Sequence, residues 1–356
     1  MRRPVLAAAL ALVVAACGGV TGGETTTTTS TDTHTTAAET TTTAASTDRR
    51  LIVYSGRSEE LMAPIYAQFE EATGIDVEVR YAGSGELATT LLQEGAQSPA
   101  DVFYSQDPAF AGAVALAGLF QELPDDILSL VPARFSDEEG RWVGVTARNR
   151  VFVYNPGLVG EDELPADIWA LTDPTWNGRI GVAPTNGSFV AFVAGMLLAE
   201  GEDRTLEWLR GIAANAPVIF DGNSPIVAAV DAGDIDAGLV NHYYLLRIEA
   251  EQGEATASNH FFQTGDPGAL VLPTGAGVLA TAANPDEALE FIRFLLSEEA
   301  QAFFLDEVLE YPLVEGIGTP PGQMPLADLP TPEISLSELA TVLDRATELI
   351  SEAGLT

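Results

Sequence analysis

The sequence predicts an α/β protein of two lobes with a ligand cleft between them. Three observations carry this expectation. The folded part opens as strand–helix–strand–helix–strand over residues 51–104. A second such cycle begins near residue 150, and the chain crosses between the two near Thr146–Val151 and again near Thr264–Ala269. The 356 residues give room for two domains of ~100–200 residues each. The 46% apolar content and mean hydropathy of +0.15 suit a soluble body with a sizeable core.

Leu51–Tyr54 is a short apolar run fit for a buried parallel strand, and Ser55–Ser58 turns the chain. Glu59–Thr73 places Leu61, Ile65, Phe69 and Ala72 on one helical face. Ser58 is the expected N-cap, Glu59 and Glu60 suit the positive end of the dipole, and Gly74 stops the helix. Ile75–Val79 alternates as a strand, a helix follows around Glu86–Gln93, and Asp101–Tyr104 is the next strand. This start predicts a mostly parallel sheet, whose ligands bind beyond the strands' carboxyl ends, here Tyr54–Arg57 and Tyr104–Asp107.

In the second cycle, Val151–Tyr154 and Ile180–Ala183 read as strands, and Pro184–Ser188 leads into the apolar helix Phe189–Ala199. Thr205–Ala213 is amphipathic. Asn223-Ser224-Pro225 opens a helix through Val230 with Pro225 at its first position. Ala237–Val240 is a strand ending in Asn241-His242-Tyr243-Tyr244, and Gly268–Leu272 and Gly277–Ala280 are two further strands. Asn284–Glu287 reads as a capping box opening a helix to Leu296.

The N-terminus reads as an address. Two arginines precede an apolar run that ends in Val14-Ala15-Ala16-Cys17, a secretory signal too short for a spanning helix. The last four residues resemble the lipobox of bacterial lipoproteins, which makes Cys17, the only cysteine, the lipidated N-terminus. Residues 18–49, with 15 threonines between Thr21 and Thr47, are too poor in apolar surface to fold and read as a disordered tether.

Charge and residue inventory exclude several classes. Asp and Glu number 52 against 16 basic residues, all arginine, for a net charge of −36. Nucleic-acid binding needs a basic footprint, which is lacking. One cysteine allows no internal disulfide or thiolate cluster, and three histidines leave little for zinc. There is no G-x-S-x-G elbow, H-E-x-x-H pair or P-loop, so the chain reads as a non-enzyme.

Several segments occur in a telling order: Val53–Ser58, Ala100–Tyr104, Trp142–Val145, Arg148–Val151, Trp176–Gly181 and Asn241–Tyr244. Together they resemble the ferric-iron-binding substrate-binding proteins of bacterial ABC transporters, over roughly residues 51–315. The resemblance implies a two-lobed periplasmic-binding fold of type II, with an interlobe cleft and two hinge crossings. It also implies a monomer that hands iron to permease and ATPase subunits from outside the cytoplasm, held to the membrane by its lipid. The expected layout is a signal peptide over 1–16 and an anchor and tether over 17–49. A first lobe follows from 50–147 plus 268–312, and a second from 148–267. A C-terminal helical segment, 313–356, is assigned to neither.

Adjacent tyrosines suit this cargo, because ferric iron is a hard cation that favours oxygen and can hold a phenol ionised despite its usual pKa near 10. Tyr243 and Tyr244 are the expected metal ligands, with His242 a structural neighbour. The resemblance also implies a carbonate or phosphate beside the iron. Its anion-contacting positions fall on Arg148, Asn186, Gly187, Ser188, Asn223 and Asn241. Asn186-Gly187-Ser188 begins a helix, whose free N–H groups attract anions, and an arginine forks onto oxyanions. Two positions depart from the family pattern, which has a histidine and a glutamate where this chain has Ser58 and Gln106. Tyr54, Glu59, Gln106, Asp107, water or a second anion are candidates for the rest of the shell, and Arg57 and Ser58 for further anion contacts. The alternatives are the same fold carrying an oxyanion, phosphonate, thiamine or polyamine, then a surface hydrolase or adhesive protein.

Overall fold

The computed structural model describes residues 49–356. The expected signal peptide, Cys17 and residues 18–48 lie outside the described residues. Arg49, assigned above to the tether, instead pairs with Glu287 at 3.1 Å and Glu290 at 2.5 Å. Among the described residues no helix is long and apolar enough to cross a membrane.

The first half runs β1 (Arg50–Ser55), α1 (Glu59–Thr73), β2 (Asp76–Tyr81), α2 (Ser84–Glu94), β3 (Val102–Ser105), α3 (Pro108–Leu116), the single turn α4 (Asp125–Leu128) and β4 (Val143–Tyr154). Then come β5 (Ile180–Val182), α5 (Gly187–Glu200), α6 (Glu202–Ala214), β6 (Val218–Ile219), α7 (Asn223–Ala232), β7 (Ala237–Asn241), α8 (Tyr243–Gln252) and β8 (Ser258–His260). The chain returns through β9 (Val271–Val278), α9 (Pro285–Leu295), α10 (Glu298–Phe303) and β10 (Tyr311–Pro312), and ends in α11 (Leu343–Glu352).

The strand order is β2-β1-β3-β9-β4-β7-β5-β6. β1 pairs in parallel with β2 and β3, and β5 in parallel with β6 and β7. The middle is antiparallel: β9 lies between β3 and β4, and β4 pairs with β7. The mostly parallel sheet expected from the opening therefore holds only toward the two ends, because the strands that cross between the halves run back against their neighbours. β4 itself makes the first crossing. Its residues 143–149 pair with β9 and residues 150–154 with β7, with a register shift between Gly144 and Ala147 of the kind that bends a strand. The second crossing is the stretch from β8 into β9, where the Arg150 N–H donates to the Leu270 carbonyl.

The two expected strands, Gly268–Leu272 and Gly277–Ala280, overlap one continuous strand, β9, while Gly268 lies in the turn Pro267–Ala269 before it. The glycines of β9 serve close packing. A Cβ on Gly277 would lie 2.7 Å from the Phe120 ring, and one on Gly275 3.0 Å from Ala111. Three caps also differ from expectation. Ser58 sits at the N-cap of α1 without a side-chain cap bond. The Asn284 side chain donates to Asp101 at 3.1 Å rather than capping α9. α7 starts at Asn223, so Pro225 is its third residue.

Apolar side chains from both halves merge in one core that includes Val53, Phe103, Trp142, Phe189 and Trp208. A smaller core under β4, β7 and α7 holds Val151, Val153, Ile226 and Val240. The C-terminal segment spans both halves. α11 packs on α5 and α6, with Arg345 paired to Glu202 at 2.6 Å. The turn Leu339–Val342 packs on α3, and the Ser337 hydroxyl meets Asp137 at 3.1 Å.

Candidate ligand-binding cleft

A cavity of about 700 Å³ opens where three helix N-termini converge: α2 at Ser84, α3 at Asp107 and α5 at Asn186–Ser188. Gln106 lines it from the first half, and Asp344 and Thr347 of α11 close one side. Asp107 caps α3, accepting from the Ala109 N–H at 3.2 Å. Asn186 caps α5, accepting from the Ser188 N–H at 3.1 Å and the Ser188 hydroxyl at 2.7 Å, and Asn223 of α7 donates to that hydroxyl at 3.1 Å. Gly187 sits close beside them, and a Cβ there would crowd the Phe110 ring at 3.3 Å.

The chain leaves β7 at Asn241 and turns at once into a helix. Tyr243 and Tyr244 are therefore the first residues of α8, not the end of a strand as expected. A helix N-terminus favours negative charge, which suits phenolates. The two rings stack at 4.1 Å. Tyr243 is buried, and burial first, then the charges of Tyr244 and Glu310, pushes its phenol well above the ordinary value, with Arg57 opposing them. His242 Nδ1 accepts from the Asn149 N–H at 3.2 Å, its ring lies 4.7 Å from Tyr311, and burial drops its pKa to about 4. Its ring is neutral and packed against Tyr311.

Behind Tyr243 lies a buried ion pair. Arg57 Nη2 is 2.8 Å from Glu310 Oε1, with both side chains sealed from solvent at 1% and 0% exposure. Glu310 also accepts from the Thr146 hydroxyl of β4 at 2.6 Å, Thr146 meets Thr274 of β9 at 3.1 Å, and Thr274 meets the Tyr104 hydroxyl at 3.3 Å. Desolvation alone would lower the Arg57 pKa, but the charge of Glu310, and after it Tyr104 and Tyr243, hold it above normal.

β4 carries two further buried guanidinium groups on one face. Arg148 leaves Nε and Nη1 without partners, and Asn241 leaves its amide nitrogen so. Burial raises the Asp107 carboxyl to about 6 against the opposing charge of Arg148. Arg150 donates to the Leu239 carbonyl at 3.0 Å and lies over Phe189 and Phe192. Burial lowers it to about 9, with the facing Tyr244 working against the drop.

Several sequence candidates are engaged elsewhere. The Tyr54 hydroxyl donates to Glu94 at 3.1 Å, with Arg80 over its ring. Of the expected site residues, Gln106, Asp107 and Asn186–Ser188 line the large cavity, whereas Tyr54, Tyr243, Tyr244, Asn223, Arg148 and Asn241 do not, the last two bordering a separate small void that Ser188 shares. Ser58 and Glu59 are exposed at the start of α1. Glu310 and Arg150 are not among the residues the sequence singles out for the site, whereas Tyr104 lies at an expected ligand-binding strand end. Arg150 had a signal, since it lies two residues from Arg148 on an extended strand and so shares its face. Glu310 lies in an acidic stretch that gives no hint of burial.

The fold and cleft define a two-lobed solute-binding protein of the periplasmic type. The chain belongs to the bacterial extracellular solute-binding protein family, which matches residues 51–307. It is 35% identical over 311 residues to the Fe(3+)-binding periplasmic protein of Serratia marcescens, covering 86% of this chain and 91% of that one. The crystal structure of iron-bound HitA from Pseudomonas aeruginosa superposes with a TM-score of 0.82 at 37% identity, covering 86% of this chain and 99% of that one. A Trichodesmium protein in complex with iron and citrate ligands superposes with a TM-score of 0.75 at 27% identity, covering 86% and 100%.

Proposed function

We propose that the protein is the extracytoplasmic substrate-binding component of an iron(III) ABC importer, capturing ferric iron with an anion between its lobes. The observation that carries this reading is the stacked Tyr243–Tyr244 pair at the N-terminus of α8, facing buried cations. Among the described residues no group of three His, Cys, Asp or Glu side chains is placed to hold a metal, so phenolate oxygen is the donor the site offers. Tyr243 and Tyr244 bind the iron as phenolates. Carbonate or phosphate completes the shell, held by Arg148, Asn241 and the start of α5 at Asn186–Ser188, with Asn223 bracing it. Gln106 and water fill the first-lobe side, while Arg57 orients Tyr243. The lobes comprise 50–147 plus 268–312, and 148–267. Cys17 carries the lipid that keeps a monomer beside its permease and ATPase.

The double variant Tyr243→Phe, Tyr244→Phe tests the site. It keeps the ring packing and removes both oxygens. The expected result is loss of the tyrosinate-to-iron colour and of ferric affinity, and retention of both would reject the assignment. Iron should also leave on acidification, since protons compete for the ligands. The unpartnered Arg148 and the converging helix ends also suit an oxyanion cargo alone. Closure on phosphate without iron, measured by small-angle scattering, would favour that second reading.

A further inference from the structure

We infer that Arg150 is the counter-charge of the loaded site, a positioning residue that makes the cleft select a doubly charged anion beside the metal. This rests on the ferric reading above. Four observations support it. Arg150 is buried, and its Nε and Nη1 have no partner. Its remaining bond, to the Leu239 carbonyl at 3.0 Å, and its contacts with Phe189 and Phe192, 5.6 and 5.2 Å from the ring centres, are all to uncharged groups. It borders the same small void as Arg148, Ser188 and Asn241. It stands opposite Asn241 in the β4–β7 register, three residues before Tyr244.

The neighbouring charges cancel without it. Arg57 is paired with Glu310, and the Asp107 carboxyl offsets Arg148 in number, although among the described residues no ion pair joins those two. Arg150 is left as a buried cation with no carboxylate against it, an arrangement that costs stability unless a ligand supplies the missing charge. Ferric iron with two phenolates carries one positive charge. A monoanion makes that assembly neutral and leaves Arg150 uncompensated. A dianion makes it singly negative, and Arg150 then neutralises it.

The test uses the purified protein with phosphate, mainly a dianion above neutral pH, and formate, a monoanion. Iron is supplied as a weak chelate, and affinity and the charge-transfer band are read for wild type, Arg150→Met and Arg150→Lys. Wild type should hold iron at least about tenfold more tightly with phosphate than with formate. Arg150→Met should lose most of that ratio and shift the band, and Arg150→Lys should recover much of the ratio. Far-UV circular dichroism confirms folding, and if the Met variant does not fold, Arg150→Gln takes its place as the uncharged reference against which wild type and Arg150→Lys are read. A ratio equal in wild type and folded Arg150→Met, or a wild type that prefers formate, overturns the inference while leaving the ferric site standing. A wild type that takes up no iron with either anion overturns the ferric reading itself, and the inference with it.

Discussion

Replacing Glu310 with glutamine removes one charge from the buried pair while keeping the side chain's shape. The amide oxygen can still accept from the Thr146 hydroxyl, now 2.6 Å from the carboxylate. Arg57, 1% exposed and 2.8 Å from Glu310, then loses its counter-ion in a place water cannot reach. Breaking one side of such a pair costs about 3–5 kcal/mol, because the surviving charge stays desolvated. In a body of this size that lowers the melting temperature by on the order of 10 °C. Urea unfolding should show a lower midpoint with an unchanged slope. Removing both charges together, as Arg57→Met with Glu310→Leu, should recover most of the loss, the pattern of a coupled pair in a double-mutant cycle. A Glu310→Gln protein that lost less than about 1 kcal/mol would refute the pair as a structural element, since that is the range of exposed ion pairs.

The buried Asp107 carboxyl, raised to about 6 by its desolvation, sits above its value of 3.8 in the unfolded chain. The folded state therefore binds the proton more tightly, and stability falls as pH rises from about 4 to about 6. Asp107→Asn keeps the cap acceptor for Ala109 and should gain up to about 3 kcal/mol at pH 7 and nothing near pH 3. Equal unfolding midpoints for the two proteins at pH 7 would contradict the burial argument. Arg247 of α8 meets Glu60 of α1 at 2.5 Å, joining elements from opposite halves, with Glu60 74% exposed. Glu60→Gln should shift the lobes toward the open state by less than about fivefold, seen as a larger radius of gyration at low salt and no difference at high salt. A shift that survives high salt would assign the effect to packing instead.

The sequence made legible whatever depends on local chemistry. Glu59–Thr73 was readable to the residue because its apolar spacing and its stop glycine agree, and Asn186 because a cap is a local device. It misled where tertiary contact decides. Residues 268–272 and 277–280 read as two strands, yet β9 runs unbroken through Gly275 and Gly277, whose role in letting Ala111 and Phe120 approach belongs to distant chain. Tyr243 and Tyr244 were identified as residues but placed on a strand, since apolar Ala237–Val240 runs without a break signal into a helix start. Asn284 was read as a cap, yet its side chain is claimed by Asp101, 183 residues earlier. Glu310 was invisible for the same reason: its partners Arg57 and Thr146 are 253 and 164 residues away.

On the proposed reading, one strand face would link occupancy of the cleft to movement of the lobes. Thr146, Arg148 and Arg150 alternate along β4 and so point to the same side. Thr146 binds Glu310 and Thr274 at the point where β4 shifts register against β9, the first crossing. Arg148 offers unpartnered donors beside the start of α5, and Arg150 faces Tyr244. A ligand shifts the open–closed balance only through a difference in affinity for the two states. Here that difference has a physical origin. Both guanidinium groups are desolvated without a bound anion, and closing the lobes on an anionic assembly removes that cost. The strand that feels the relief is the one that must bend for the lobes to part. On the ferric reading proposed above, an empty cleft should therefore open more easily than a charged and neutralised one, and release should follow protonation of the phenols, reduction of the iron or force from outside the molecule.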